Sequence, residues 1–239
     1  MTQLGLLRPK APELPATIDL RCVDVAVLLD NLDPGTVDLV IADPPWDLYN
    51  HPGYDAPGDR YGLLTSAEIA EHLRRAVELL RPGGRLALWT CWPLLVEAIG
   101  SAAPSPWLEI PKLRWATGGA WTKLGRPTCG YHWRSGSEPV LVGVRSDGAA
   151  GRALKIVQSG AATVPKQHSR KPAGWMADWC RAWVPPGGLV VDLYAGLGSV
   201  AEAVVRAGEG RRYIGAEIDP DRHATALAMV RRAVVDGAA

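Results

Sequence analysis

Four consecutive residues, Asp43-Pro44-Pro45-Trp46, are the part of this chain whose types and order bear most directly on chemistry. An amine attached to an aromatic ring is a poor nucleophile, because its lone pair is delocalised into the ring. A carboxylate that accepts one amine hydrogen and a carbonyl that accepts the other push the nitrogen toward tetrahedral geometry and aim its lone pair at an electrophile. Asp43 and the Pro44 carbonyl supply such a pair. Consecutive prolines fix φ and donate no N–H, so the carbonyl is expected to point one way with no competing donor beside it. Trp46 offers a flat face to a ring. The motif follows the apolar run 37–42, which places it at a strand's C-terminal end, where open α/β sheets bind ligands. A Pro-Pro pair alone fits a rigid turn with Trp46 as core. The preceding Asp, the following aromatic and a second ligand motif in the same chain favour the catalytic reading.

That second motif is Val190-Val191-Asp192-Leu193-Tyr194-Ala195-Gly196-Leu197-Gly198-Ser199-Val200-Ala201, a buried strand running through a glycine turn into a helix, with Glu217 at the tip of the next strand. Its Gly-x-Gly-x-x-Ala pattern with an acid about twenty residues on suits a nucleotide-like ligand. The glycines let the ligand approach the backbone, and Glu217 can accept bonds from both ribose hydroxyls. Taken alone, the turn does not separate a nicotinamide dinucleotide from S-adenosylmethionine, and a tight turn that binds nothing is the bland alternative. Only about forty residues follow Gly198, so a dehydrogenase would need its catalytic apparatus upstream.

The elements that must carry these motifs alternate. Strands are predicted over 17–21, 37–42, 85–90, 139–144, 189–193 and 213–217. One helix is predicted from Ser66 to Arg81, with Ile69, Leu73, Val77 and Leu80 on one stripe and Pro82-Gly83-Gly84 as its stop. Others are predicted from about Pro172 to Trp183, and from an Asp219 cap with Pro220 in the first turn to about Val235. The pattern implies a mostly parallel sheet with helices on both faces. Asp47 to Leu63 fits a substrate-gating loop or an ordinary connection, and Ser146 to Arg170 reads as irregular. With 239 residues, nearly half apolar, one domain spanning 1–239 is expected. No run is long and apolar enough for a membrane span, and Met1-Thr2-Gln3-Leu4 lacks a secretion pattern, so a cytoplasmic protein is expected. Cys22, Cys91, Cys129 and Cys180 are too dispersed for a zinc site or disulfide framework. They read as small buried hydrophobes, and no metal is expected. The windows 110–137 and 148–177 each hold five basic and no acidic residues, which suits either a phosphate-binding surface or a solvated face. Trp115, Trp121, Tyr131 and Trp133 lie in the first window, as base-stacking or buried strand aromatics.

Over most of its length the chain resembles the amino-methyltransferases of DNA and RNA, whose hallmark is (Asp/Asn/Ser)-Pro-Pro-(Tyr/Phe/Trp). Trp121-Thr122-Lys123, the run from Arg134 through Glu138 to Val144, and His168-Ser169-Arg170-Lys171-Pro172 are similar to further family patterns. Asp192 to Gly198 is similar to its cofactor turn, with Tyr194 where Phe is more usual. The resemblance implies a circularly permuted, Rossmann-like, seven-strand-type S-adenosylmethionine-dependent methyltransferase fold, with catalytic motif before cofactor motif, the order called β. It implies methyl transfer to adenine N6 in DNA after base flipping. RNA adenosine N6 and DNA cytosine N4 are alternatives within the chemistry. A nicotinamide-dependent oxidoreductase and a silent nucleic-acid-binding subunit lie further away. Asp43, Pro44, Pro45 and Trp46 are implied at the reacting amine. Asp192, Tyr194, Ala195, Gly196, Gly198, Ser199, Glu217 and Ile218 are implied on the cofactor, with Asp24, Ser169 and Lys171 near it, and Tyr61, Lys123 and Arg134 on the substrate. The interval between the motifs leaves little room for a recognition insertion, so a short target site, a second specificity subunit or a homodimer is expected.

Overall fold

The computed structural model describes residues 13–47, 62–102, 105–124, 136–147, 162–163 and 170–237. In chain order the elements are β1 (Ile18–Arg21), α1 (Val25–Asp30), β2 (Val37–Ala42), α2 (Ser66–Leu79), β3 (Leu80–Trp89), α3 (Trp92–Gly100), β4 (Leu113–Leu124), β5 (Ser137–Arg145), β6 (Ala162–Thr163), α4 (Ala173–Trp183), β7 (Leu189–Asp192), α5 (Ser199–Ala207), β8 (Arg212–Ala216) and α6 (Pro220–Gly237). They form one eight-stranded sheet in the order β1-β8-β7-β2-β3-β5-β4-β6. The pairings from β1 to β3 are parallel, and β5 then runs antiparallel to both β3 and β4.

Strand β2 shows why the sheet is two-faced. All six of its residues are buried. Leu39 and Ile41 enter the core under α4, α5 and α6, while Val37, Val40 and Ala42 enter the core under α1, α2 and α3. From Leu39 to Ala42 the period-two alternation thus buries apolar side chains on both faces, as expected of a parallel strand covered by helices, and Val37 falls out of phase where the register with β3 shifts. Asp38 is the polar exception. Its carboxylate accepts from the Leu189 N–H at 2.9 Å and pairs with Arg81, joining the N-terminal ends of β7, β2 and β3.

Helix α2 begins at a capping box: Thr65 Oγ1 accepts from the Glu68 N–H at 3.3 Å, and the Glu68 carboxylate accepts from the Thr65 N–H at 2.8 Å. Ile69, Leu73 and Val77 form its buried stripe. The Pro82-Gly83-Gly84 stop belongs to β3, which starts at Leu80. Val37 pairs with Leu80 but Leu39 with Arg85, so Arg81 to Gly84 bulge outward, with Gly83 at φ 75°. At α6, Asp219 Oδ1 accepts from the N–H groups of Asp221 and Arg222 at 2.8 and 3.1 Å, the expected cap. After Gly198 the chain makes the expected helix, strand and helix.

The cysteine expectation is corrected. Cys180 is buried, but Cys91 is only partly so and Cys22 is exposed, because it follows the last residue of β1 as the chain leaves the sheet. Cys129 lies outside the described residues. Among the described residues no helix is long and apolar enough to cross a membrane.

Candidate active site

Asp43 leaves the C-terminal end of β2 and the glycine turn leaves the C-terminal end of β7. These strands are neighbours, with Ile41 opposite Asp192 and the Leu193 N–H donating to the Ile41 carbonyl at 3.1 Å. Motifs about 150 residues apart in sequence therefore open side by side. Strand β3 lies on the other side of β2 and ends at Trp89. Because β5 and β4 pair antiparallel beyond it, Glu138 and Lys123 come to the same edge.

The Asp-Pro-Pro-Trp motif doubles back. The Trp46 N–H donates to the Pro44 carbonyl at 2.9 Å, so the expectation of no donor beside that carbonyl is not met. One lone pair is used, and the oxygen's second remains for an incoming hydrogen. The Pro45 carbonyl accepts from the Leu64 N–H at 2.9 Å and the Asp47 N–H reaches the Leu64 carbonyl at 3.3 Å, which ties the motif to the residues just before α2. Trp46 is half-buried. Its indole N–H donates to the Trp89 carbonyl at 3.0 Å and its ring meets Trp107 edge-on at 5.3 Å.

Around Asp43 the structure assembles four charges. Lys171 Nζ lies 2.7 Å from Asp43 Oδ2 and 3.1 Å from Glu138 Oε2, and Lys123 pairs with Glu138 from the far side. Two carboxylates and two ammoniums leave the cluster neutral. The ammoniums rest on aromatic faces, Lys171 5.3 Å from the Trp89 ring centroid and Lys123 5.1 Å from that of Trp121. Burial raises the Asp43 carboxyl above the ordinary carboxylate range, and Lys171 only partly offsets it. Burial opposes the Lys171 charge too, but Asp43 and Glu138 outweigh it and hold the ammonium firmly protonated. Glu138 also suffers from burial, yet its two lysines hold it below the usual range.

The glycine turn requires glycine by its backbone and by its packing against α6. Gly196 and Gly198 have φ of 54° and 78°, and a Cβ on Gly198 would meet Ala226 at 3.1 Å. Glu217 accepts from the Gly196 N–H at 2.7 Å and the Asp219 N–H at 2.9 Å, so one carboxylate fixes both ends of the cradle and each oxygen keeps a lone pair. Asp192 is 1% exposed and accepts from the Tyr194 N–H at 3.3 Å and the Tyr213 hydroxyl at 3.2 Å. Burial, against those two bonds, pushes its carboxyl up to about 7. The Ala195 N–H donates to the Ala216 carbonyl at 2.8 Å and Ser199 is buried at the start of α5. Ile218 is 58% exposed, leaving an apolar wall open to a flat ring. Asp24 caps α1, accepting from the Ala26 N–H at 2.6 Å. Tyr61, Arg134 and Ser169 lie outside the described residues.

Solved structures share this architecture. The crystal structure of the M1.HpyAVI–SAM complex matches with a TM-score of 0.62 at 18% identity, over 87% of this chain and 97% of its own. TTHA0409 from Thermus thermophilus, provisionally named a DNA modification methylase and complexed with S-adenosyl-L-methionine, matches with a TM-score of 0.62 at 20% identity over 90% and 95%. The cytosine-N4-specific PvuII DNA methyltransferase matches with 0.63 at 14% identity over 94% of each chain. The fold is that of an S-adenosylmethionine-dependent methyltransferase. No protein-family model and no curated protein matches the sequence.

Within this methyltransferase fold, four placements differ from the sequence reading or add to it. Lys171, expected beside the cofactor, has its ammonium on Asp43. Trp121 is fully buried and Trp115 half-buried, the latter donating to the Leu108 carbonyl at 2.8 Å, so both serve the sheet. Tyr131 and Trp133 lie outside the described residues. In the basic windows Lys112 pairs with Glu78, Lys123 with Glu138, Arg170 with Glu202 and Lys171 with Asp43, so these four charges are matched within the chain. His72 was not legible as a site residue. Its Nδ1 lies 2.8 Å from the Tyr194 hydroxyl, and burial pulls its pKa down against the nearby Asp24. The only hint in sequence is Tyr194 itself, whose hydroxyl needs a partner that Phe does not.

Proposed function

We propose that the chain transfers a methyl group from S-adenosylmethionine to an exocyclic amine of a base in DNA, with adenine N6 as the target. The observation that carries this reading is the pairing of β2 with β7, which puts the amine-orienting Asp43 beside the glycine cradle. Two of the similar structures are complexes with the same cofactor, and PvuII acts on DNA cytosine N4. The Asp-Pro-Pro-Trp form of the motif favours adenine over cytosine.

The cradle fits this cofactor. Glu217 has lone pairs for ribose hydroxyls, Gly196 and Gly198 hold a left-handed turn that L side chains rarely adopt, and the exposed Ile218 and Asp24 would supply an apolar face and an acceptor for an adenine ring and its amine. When bound, the cofactor supplies an electrophilic methyl on a sulfonium. The chain's part is alignment. Asp43 and the free lone pair of the Pro44 carbonyl each accept one amine hydrogen and fix the nitrogen's lone pair direction. Burial raises the Asp43 carboxyl, which makes it a better acceptor for the proton that the methylated nitrogen sheds. The exposed part of Trp46 meets the base plane. The target base must leave its stack to reach this edge.

Purified protein incubated with S-adenosylmethionine and DNA, followed by nucleoside mass spectrometry, tests the reading. N6-methyladenine is expected, whereas N4-methylcytosine, or label appearing only in RNA in a parallel reaction, redirects the substrate. Thermal stabilisation by NAD and not by S-adenosylhomocysteine overturns the methyltransferase reading.

A further inference from the structure

The cluster around Asp43 has a direction. Side-chain exposure falls from 34% at Asp43 to 21% at Glu138, 13% at Lys171 and 9% at Lys123. Asp43 is the open end, and Lys171 stands immediately behind it. Lys123 satisfies Glu138 from its far side, so Glu138 holds Lys171 without consuming its charge. The Lys171 ammonium has three hydrogens. Two face Asp43 and Glu138 across 2.7 and 3.1 Å, which leaves the third for an incoming acceptor, with the Trp89 ring centroid 5.3 Å from the nitrogen. Asp43 and Lys171 therefore stand as an acceptor and a donor 2.7 Å apart, with the acceptor the more exposed of the two.

That pair is the complement of an amidine edge. Adenine and cytosine each carry an amine beside a ring nitrogen with a free lone pair, N1 in adenine and N3 in cytosine. Thymine and guanine carry an N–H at that ring position, which would face the ammonium donor to donor. We propose that Lys171 is a specificity-determining residue that donates a hydrogen bond to the ring nitrogen adjacent to the target amine while Asp43 accepts from the amine. The proposal rests on the reading of the site as an amine methyltransferase and adds how the base edge is read. Glu138 is then a positioning residue, acting through Lys171.

The test uses a duplex that the wild type methylates, in which the target base is replaced by its deaza analogue, 1-deazaadenine or 3-deazacytosine. The analogue keeps the amine, leaves it at least as nucleophilic, and puts a C–H where the lone pair was. For the wild type, kcat/KM is expected to fall about 10- to 100-fold on the analogue, the size of one lost base-edge bond. Lys171→Met should lose a similar factor on the natural base and should no longer distinguish it from the analogue, while still binding S-adenosylhomocysteine by calorimetry. Equal wild-type rates on the natural and deaza duplexes overturn the proposal, and that measurement needs no variant. A Lys171→Met protein that keeps the wild-type ratio, or that loses S-adenosylhomocysteine binding while the wild type ignores the deaza change, also overturns it. If the wild type methylates no amine on any duplex, the underlying reading fails along with the proposal.

Discussion

Replacing Asp192 with Asn should flatten part of the protein's stability profile against pH. Asp192 is all but inaccessible at the end of β7, with two hydrogen bonds and no cation among the groups acting on it, while Asp43 and Glu217 add repulsion. Its carboxyl titrates near 7 in the folded chain against an ordinary value of 3.8. Between those values the folded state keeps a proton that the unfolded state has released, so unfolding releases a proton and stability falls as pH rises through the window. The loss is complete once pH exceeds the folded value. From pH 5 to pH 8 the wild type should lose at most about 2.5 kcal/mol that Asp192→Asn does not lose. For a chain of this size that corresponds to roughly 5–10 °C in melting temperature. Paired denaturant titrations of the ligand-free proteins at pH 5, 6, 7 and 8 measure the difference between wild type and variant, which cancels every other titrating group. A difference that is constant across the series, or that favours the wild type increasingly as pH rises, would refute the burial argument.

Two further expectations concern the cofactor side. Tyr194→Phe and His72→Phe should each cost about 1 kcal/mol of stability through loss of the 2.8 Å bond, and the double variant should cost little more than the larger single, as a double-mutant cycle by denaturant unfolding will show. Gly198→Ala forces a Cβ into the left-handed region and against Ala226. It should destabilise the fold by about 1–3 kcal/mol and weaken S-adenosylhomocysteine binding measured by calorimetry.

The two motifs and the strands that carry them were legible because local order dictates both. Val37–Ala42 and Leu189–Asp192 are short, mostly apolar runs that lead into an acid, and the Asp219 cap follows from neighbours three residues away or fewer. What was not legible depends on partners distant in sequence. Strand β4 contains Gly118 and Gly119, is exposed at Arg114, Ala116, Thr117 and Gly118, and pairs for most of its length with β5, so its own pattern shows no buried face. Helix α1 spans six residues, too few for periodicity. The Pro82-Gly83-Gly84 stop is correct for α2, yet only the parallel partner β2 draws those residues into a strand with a bulge. The same holds for the site. The residue types at Asp43 and Gly196 announce chemistry, but their adjacency is a property of strand order. Lys171 meets Asp43 across about half the length of the chain; its family pattern marks it as a site residue, but which side chain it meets depends on the fold.

In the proposed reaction Asp43 aligns a base amine beside a methyl donor held by the turn after β7. Nucleoside mass spectrometry of DNA treated with wild type and with Asp43→Ala, at equal S-adenosylhomocysteine occupancy, tests it directly. A methylated adenine is expected with the wild type and a rate lower by about a hundredfold or more in the variant, with cofactor binding intact. Methylation by Asp43→Ala at the wild-type rate would contradict this role for Asp43.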